Sequence, residues 1–572
     1  MKHATSRITA APTALTAVGT PPPPQLAPLS VADPRVAFFL SMPKTERVRV
    51  LTAMLEGDAG HGFRRELTRW LVQVLSVERL VPQAYVEWRP VVREAMLFFG
   101  SHLSTPRLVP KLIEQLELAP DTLPEVRLVR LIAKVPALQK LGQVIARNRH
   151  LHPSVKRELT GLENGMRDVT IDEIRRLIVH DLGSKLQRYQ VDVEGRIFVE
   201  ASVSAVVRFT WYNPKRRQRE HGVFKVLKPY VREFFLEEMD LLARLAEHLG
   251  TRHQEYGFGE HVLSDTFNDV RRQLRHEVRF RREQANLREA SRLYRTVSAI
   301  RIPQVIRPLC TSNITALTEE YGEKITKAAA GQPNWRRSRM AEQLIEAVIA
   351  VPLLTPGRRT IFHADPHAGN LLYKNQSGTL TLLDWALTGH ITEEQRRLLA
   401  LLFVMTLLRD QEGVCAAIEA LNPGGKRRST AQIRIIREQV TQFFEEQPLP
   451  SLPRAIDMMD LLERMAWQGV RLPNNLVMLR KAVFTLDGIM HELAGSNANM
   501  EVAILRRRLQ QWLKSPTNAG WPLSTRDWVA VYWSAIFYGN RVALGILHQL
   551  SGHGRSSGAN GLTTIHHSGS AA

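Results

Sequence analysis

Residues 361–386 read IFHADPHAGNLLYKNQSGTLTLLDWA, and no other part of the chain carries as much chemistry in so few positions. His363, Asp365, His367 and Asn370 lie in a loop with too much Pro and Gly to be helix interior. Two short apolar runs follow, Leu371 to Tyr373 and Leu380 to Leu383, and Asn375-Gln376-Ser377-Gly378 between them reads as a hairpin turn. The second run ends on Asp384. Phosphoryl transfer from a nucleotide needs these groups in this order: a carboxylate to meet the acceptor hydroxyl, then an amide and a second carboxylate to hold the metal that neutralises the phosphates. Two other readings fit the same letters. H-x-D-x-x-x-H with His390 nearby suits a zinc or iron site, although nothing obvious completes the ligand set. The loop could also be a plain turn with solvated acids.

Composition narrows the choice. At 572 residues the chain predicts two or three domains, and 44% hydrophobic with 23% charged residues is a folded protein's balance. Cys310 and Cys415 form neither a disulfide framework nor a metal spacing, which points to a reducing, cytoplasmic compartment. The 77 basic residues exceed the 56 acidic ones, for a net charge of +21. That excess favours a polyanionic partner, a nucleotide or an anionic lipid surface. No zinc finger, RNP-like motif or basic-aromatic stripe is present, so nucleic acid is not expected.

Residues 1–35 form a Pro-rich tail without the apolar core of a secretory signal. The next hundred residues repeat apolar positions at three and four spacing, as in FRRELTRWLVQVL, and predict helices. Lys140-Leu141-Gly142-Gln143 places a glycine inside such a run, a sign of close backbone approach. From Gly195 the period changes: Arg196 to Ala201, Val203 to Tyr212 and Gly222 to Val226 predict three strands. The small-residue turn Ala201-Ser202-Val203-Ser204-Ala205 is suited to lie over phosphates. In the third strand Lys225 points away from the face of Phe224 and Val226 and needs an acidic partner. Lys228, just before Pro229, is the rival lysine. One long helix is expected over Asp265 to Tyr294; on it Glu277 and Glu283 face directions about 120° apart. Glu283 is assigned to the lysine and Glu277 to another element. Leu317 to Gly322, including Glu320, reads as a strand ending in a hinge, and helices follow to about Lys514.

In this order the pieces resemble the ABC1/AarF/UbiB (ADCK) family of atypical kinases. The family's K-x-G-Q stands as Lys140 to Gln143, followed by Pro153, and its Ala-rich loop as Ala201 to Ala205. Its strand lysine is Lys225, its E-x-D-x-x-x-E-A-x-N helix Glu277 to Asn286, and H-x-D-P-H-P-G-N is nearly intact as His363 to Asn370. Arg279 replaces the acid of E-x-D, Ser204-Ala205 the usual Ala-Gln, and Ala368 a proline; Asp384-Trp385-Ala386 stands for a D-F-G-like end without glycine. The resemblance implies an α+β, two-lobed protein-kinase-like fold, with a small antiparallel β lobe and a helical lobe. To these it adds a helical extension bearing K-x-G-Q and ATP chemistry tied to isoprenoid lipids, ubiquinone above all. It also implies the site. Lys225 paired with Glu283 orients the phosphates of ATP, Asn370 and Asp384 hold Mg2+, and Asp365 orients or deprotonates the acceptor. Ala201, Ser202, Ser204, Lys140, Gln143, Glu277 and Glu320 complete the nucleotide site, and His363 and His367 shape the loop. The alternative is a nucleotide-binding pseudokinase scaffold.

Trp528 to Leu547 is the most apolar run, interrupted by Asn540-Arg541. An Arg in mid-membrane costs at least ~2.5 kcal/mol, so a helix lying on a membrane or dimerising is expected before a spanning one. Lys426-Arg427-Arg428 and Arg506-Arg507-Arg508 would suit the anionic inner face of a membrane, with the protein peripheral or C-terminally anchored. The expected division is 1–35 tail, 36–135 helical region, 136–190 K-x-G-Q extension, 191–322 N-lobe, 323–515 C-lobe, 516–550 hydrophobic helix and 551–572 tail.

Overall fold

The computed structural model describes residues 34–76, 80–81, 86, 88–140, 168–257, 262–422, 430–447, 453–470, 472–494 and 522–550. Leu141, Gly142, Gln143, Pro153, both basic triplets and the C-terminal tail lie outside them, as do the first 33 positions. The chain divides into two compact units: residues 1–163 with 235–271, and residues 164–234 with 272–572.

The first unit is helical as described. Its helices Lys44–Glu56, Gly60–Leu75, Arg89–His102, Thr105–Glu117 and Pro124–Ile132 bury Leu67, Leu71, Leu75, Leu108, Leu112 and Ile113. Within it Arg107 bonds the carboxylate of Glu238, which also accepts the Ala137 N–H at 2.7 Å. Burial pushes Glu238 up to about 7 although Arg107 and the Ala137 amide oppose it.

The second unit holds ten strands among its described residues: β1 (Asp192–Glu200), β2 (Ser204–Asn213), β3 (Gln218–Leu227), β4 (Ile300–Arg301), β5 (Ile314–Thr318), β6 (Glu323–Lys324), β7 (Arg359–His363), β8 (Leu371–Lys374), β9 (Thr379–Leu382) and β10 (Thr388–Thr392). They form an antiparallel sheet β1-β2-β3-β5, a mixed sheet β4-β9-β8-β6 and the pair β10-β7. Alternation builds the first sheet. Ala205, Val207, Phe209 and Trp211 on β2 and Phe224 and Val226 on β3 are all buried. The Phe209 and Phe224 rings stack at 3.8 Å. Gly222 is required there, because a Cβ would come within 2.6 Å of the Phe209 ring. Helix Ile171–Leu182, started by a Thr170/Glu173 capping box, covers this core with Ile174, Ile178 and Leu182.

The second sheet grows from the anticipated hairpin. Leu371 pairs with Leu382 and Lys374 with Thr379, and Gly378 supplies φ +65° in the turn. Around it pack helices Asn334–Ile345, Glu393–Leu408, Ala455–Trp467 and Asn474–Ala494 in a large apolar core that includes Phe362 and Trp385.

One expectation is corrected. The single helix over Asp265 to Tyr294 is two, Val262–Glu277 and Phe280–Leu293, because Arg279 leaves helical geometry at ψ 68°. The break lets Phe280, Glu283, Gln284 and Leu287 all turn inward. It also cancels the 120° estimate, which assumed one continuous helix. At the C-terminus the helix Thr525–Leu550 is present, but among the described residues no helix is long and apolar enough to cross a membrane.

Candidate active site around Lys225 and Asp384

Lys225 sits in the middle of its sheet, opposite Val206 on β2 and Thr315 on β5. Its neighbours Phe224 and Val226 face the core, so its own side chain emerges on the other face. There its Nζ donates to Glu283 Oε1 at 2.7 Å and to Asp384 Oδ2 at 3.3 Å. Glu283 is only 2% exposed, and its second oxygen, Oε2, has no hydrogen-bond partner. Burial pushes Glu283 up to about 7, with Lys225 opposing the rise. The same burial disfavours the Lys225 ammonium, yet the Asp384 and Glu283 carboxylates outweigh it and raise its pKa. Burial also acts against the Asp384 carboxylate, but Lys225 and the Ala386 N–H hold it down to about 2. The amine is therefore charged and shared between two acids.

The loop from His363 is held by its own side chains. His363 is fully buried, which depresses its pKa; its Nε2 donates to the Leu383 carbonyl at 2.8 Å and its Nδ1 accepts the Asp365 N–H. The His367 ring nitrogen Nδ1 accepts the Gly369 N–H, and Asn370 Nδ2 donates to the Asp365 carbonyl at 3.2 Å. Both imidazoles thus serve the loop's conformation. The hairpin register then brings Asn370, just before β8, beside Leu383, just after β9, and the Leu383 N–H donates to the Asn370 carbonyl at 2.8 Å. Asp384 comes next, at φ +46°, a left-handed conformation more often taken by glycine. Behind it Trp385 is fully buried, and Asn286 Nδ2 caps its carbonyl at 2.9 Å.

The turn Ala201 to Ser204 closes through the Ala201 N–H on the Ser204 carbonyl at 2.8 Å. Ser202 Oγ donates to Glu277 Oε2 at 3.3 Å, so Glu277 faces the turn, and the buried Ser204 Oγ has no partner. Glu320 follows β5; burial raises its pKa while Thr318 donates to it. Lys140 belongs to the first unit, where it is buried.

Residues 161–418 match the family model of the ABC1 atypical kinase-like domain. Over that span the chain is similar to the ABC1 atypical kinase-like domain. It is 26% identical over 475 residues to an uncharacterized protein of Mycobacterium tuberculosis, covering 81% of this chain and 91% of the relative. It is also 26% identical to the chloroplast protein Activity of BC1 Complex Kinase 7 of Arabidopsis thaliana, over 64% of this chain and 52% of that one. A probable protein kinase UbiB of Histophilus somni is 22% identical over 66% and 69% of the two chains. A solved structure of Mycobacterium tuberculosis Rv3197 with erythromycin aligns at TM-score 0.41 and 15% identity, covering 59% of this chain and 82% of that one.

The residues gathered here suit a magnesium nucleotide. Among the described residues no three His, Cys, Asp or Glu side chains are grouped to hold a metal unaided. Magnesium bound through one carboxylate, one amide oxygen and phosphate oxygens needs no such group. Asn370 spends its NH2 on Asp365, which leaves its amide oxygen for a cation. The unpartnered oxygens of Glu283 and Ser204, close to the lysine and to the turn, are polar atoms that a fully apolar role would not leave unpaired.

Sequence reasoning missed three ion pairs beside these residues. Lys228 Nζ, just past β3, lies 2.7 Å from Asp168 and 3.1 Å from Glu200. Lys481 Nζ lies 3.9 Å from Asp365 Oδ1. Their partners are 60, 28 and 116 positions away, and no local pattern announces such pairs.

Proposed function

We propose that this protein is a magnesium-dependent atypical kinase or ATPase that binds ATP at Lys225, Glu283, Asp365, Asn370 and Asp384. The observation that carries the reading is the Lys225 ammonium shared between Glu283 on a helix and Asp384 after the hairpin. Lys225 orients the phosphates, and Glu283 fixes the lysine. Ala201, Ser202 and Ser204 offer backbone and hydroxyl groups to the phosphates, with Glu277 steadying Ser202. Glu320 lies on the hinge side; Lys140 and Gln143 are assigned to the nucleotide on the family motif alone. Asp365 orients or accepts the proton of the acceptor hydroxyl or water. Magnesium, held by Asn370 and Asp384, supplies charge neutralisation on the phosphates.

A link to ubiquinone or another isoprenoid lipid is part of the proposal and rests on the family resemblance. The helix Thr525–Leu550 suits a peripheral place on the inner face of a membrane. One side packs on helix Glu393–Leu408 through Arg397–Asp527 and Ser534–Met405, and Ser534 also donates to Asp410 just past that helix. The other exposes Trp528, Tyr532, Trp533, Ile536 and Phe537, an aromatic surface of the kind that rests among lipid headgroups. Homodimerisation through the same face is the competing use.

A second reading, a nucleotide-binding scaffold without turnover, is favoured by Asp384 sitting at positive φ with no glycine after it and by Arg279 in place of an acid. Magnesium-dependent ADP release by the purified protein, with and without vesicles containing anionic lipid, separates the two. Turnover that is lost in Asp365→Asn supports the enzyme. Saturable nucleotide binding without turnover supports the scaffold.

A further inference from the structure

We propose that Lys481 supplies the cation that meets the terminal phosphate of the nucleotide beside Asp365, an inference that rests on the nucleotide-binding reading above. A phosphoryl group in transfer carries its charge on three equatorial oxygens, and catalysis of that step is largely cationic stabilisation and positioning. The loop cannot provide a lysine or arginine next to its own carboxylate. Between Asp365 and Asn370 stand Pro366, His367, Ala368 and Gly369, and the Nδ1 of His367 is engaged with the Gly369 N–H. Lys225 already shares its charge between Glu283 and Asp384.

The missing cation arrives from helix Asn474–Ala494. Lys481 Nζ is 3.9 Å from Asp365 Oδ1, with 39% of the lysine side chain and 18% of the aspartate side chain exposed. The amine is thus beside the carboxylate and still reachable by a ligand. Its helix is held in place at both ends. Asn475 Nδ2 donates to the His390 carbonyl at 2.7 Å, and Arg337 bonds the carbonyls of Leu493 and Glu492. Next to the lysine, Arg480 pairs with Glu463 at 3.0 Å, while Leu479, Ala482 and Val483 are buried. Lys481 therefore presents its charge from a fixed backbone.

A cation on the terminal phosphate distinguishes ATP from ADP, whereas a lysine that merely braces Asp365 does not. The test is calorimetric titration of the full chain with magnesium and either a non-hydrolysable ATP analogue or ADP, on wild type, K481M, K481R and D365N. In K481M the preference for the triphosphate should fall about tenfold with ADP affinity and Tm unchanged, the loss expected for one charge-assisted contact. K481R should keep most of the preference, and K481Q repeats the measurement should K481M melt early. ADP release in K481M should fall by roughly 10²–10³. An unchanged triphosphate preference in K481M, with wild type binding both nucleotides, overturns the assignment and leaves the nucleotide reading standing. Failure of wild type to bind either nucleotide overturns both.

Discussion

Lys225 and Lys228 are three residues apart, and each amine is held by two carboxylates, yet the two clusters are built differently. Lys228, Asp168 and Glu200 are 1%, 5% and 3% exposed. Tyr230 adds a hydroxyl to Asp168 at 2.9 Å, and the Lys228 N–H donates to the Val203 carbonyl. That cluster is closed to solvent, and it fastens the Ala201 to Ser204 turn to the end of β3. Glu283 is equally hidden, but Lys225 is 13% exposed and Asp384 keeps 41% of its side chain open. Its carboxylate comes from beyond β9, in a different sheet, and the Glu283 oxygen facing away from the lysine has no partner. The same ions in a closed cluster make a fastening; left open, and drawn from two sheets, they leave room for the charged ligand proposed above.

The comparison can be broken at several points. The largest effect belongs to the open side: Asp365→Asn should lower turnover by roughly 10²–10⁴ while leaving nucleotide binding and Tm near wild type, as read by ADP release and thermal shift. The closed cluster should answer with stability instead. Lys228→Met leaves two buried acids without their cation and should cost about 3–5 kcal/mol in urea unfolding of the second unit. If Lys228→Met proved as stable as wild type, the fastening role would fall.

A smaller effect separates the acids by pH. Glu283 is raised from 4.5 to about 7, so its folded state holds the proton more tightly. Its contribution to stability is full below pH 4.5 and is lost as pH rises through about 7. Asp384 has the opposite sign: its contribution is present above 3.8 and is lost as pH falls toward about 2. Melting curves of wild type against Glu283→Gln should therefore diverge between these limits, with wild type losing Tm relative to the variant as pH climbs toward 7. Parallel curves would place the Glu283 proton elsewhere. The smallest change is Ser202→Ala, which removes one hydrogen bond to Glu277. It should weaken ATP binding by about 1 kcal/mol in the same titration, with no loss of Tm.

Much of this was legible locally. The alternation of Val207, Phe209, Phe224 and Val226 announces the first sheet and the direction of Lys225. The Asn375 to Gly378 turn announces the hairpin that brings Asn370 and Leu383 together. What stayed hidden is non-local. Arginines face solvent on both sides of Arg279, so the charge pattern of residues 265–294 runs on while the backbone breaks. Lys228 reads as a strand end because Asp168 and Glu200 lie outside any window around it. Lys481 sits among the apolar positions of a helix, and only folding brings it to Asp365. The aromatic run after Trp528 was visible as apolar, but its split into a packed side and an exposed side needed the contacts of Asp527 and Ser534.

The central claim is that Lys225 and Asp384 belong to one magnesium-nucleotide site. Titration of ATP into wild type and Asp384→Asn, each with magnesium and with EDTA, tests it most directly. The account predicts saturable binding by wild type that weakens at least tenfold in EDTA, about 1.4 kcal/mol, and an equal loss in Asp384→Asn with magnesium present. ATP binding indifferent both to magnesium and to Asp384 would contradict it.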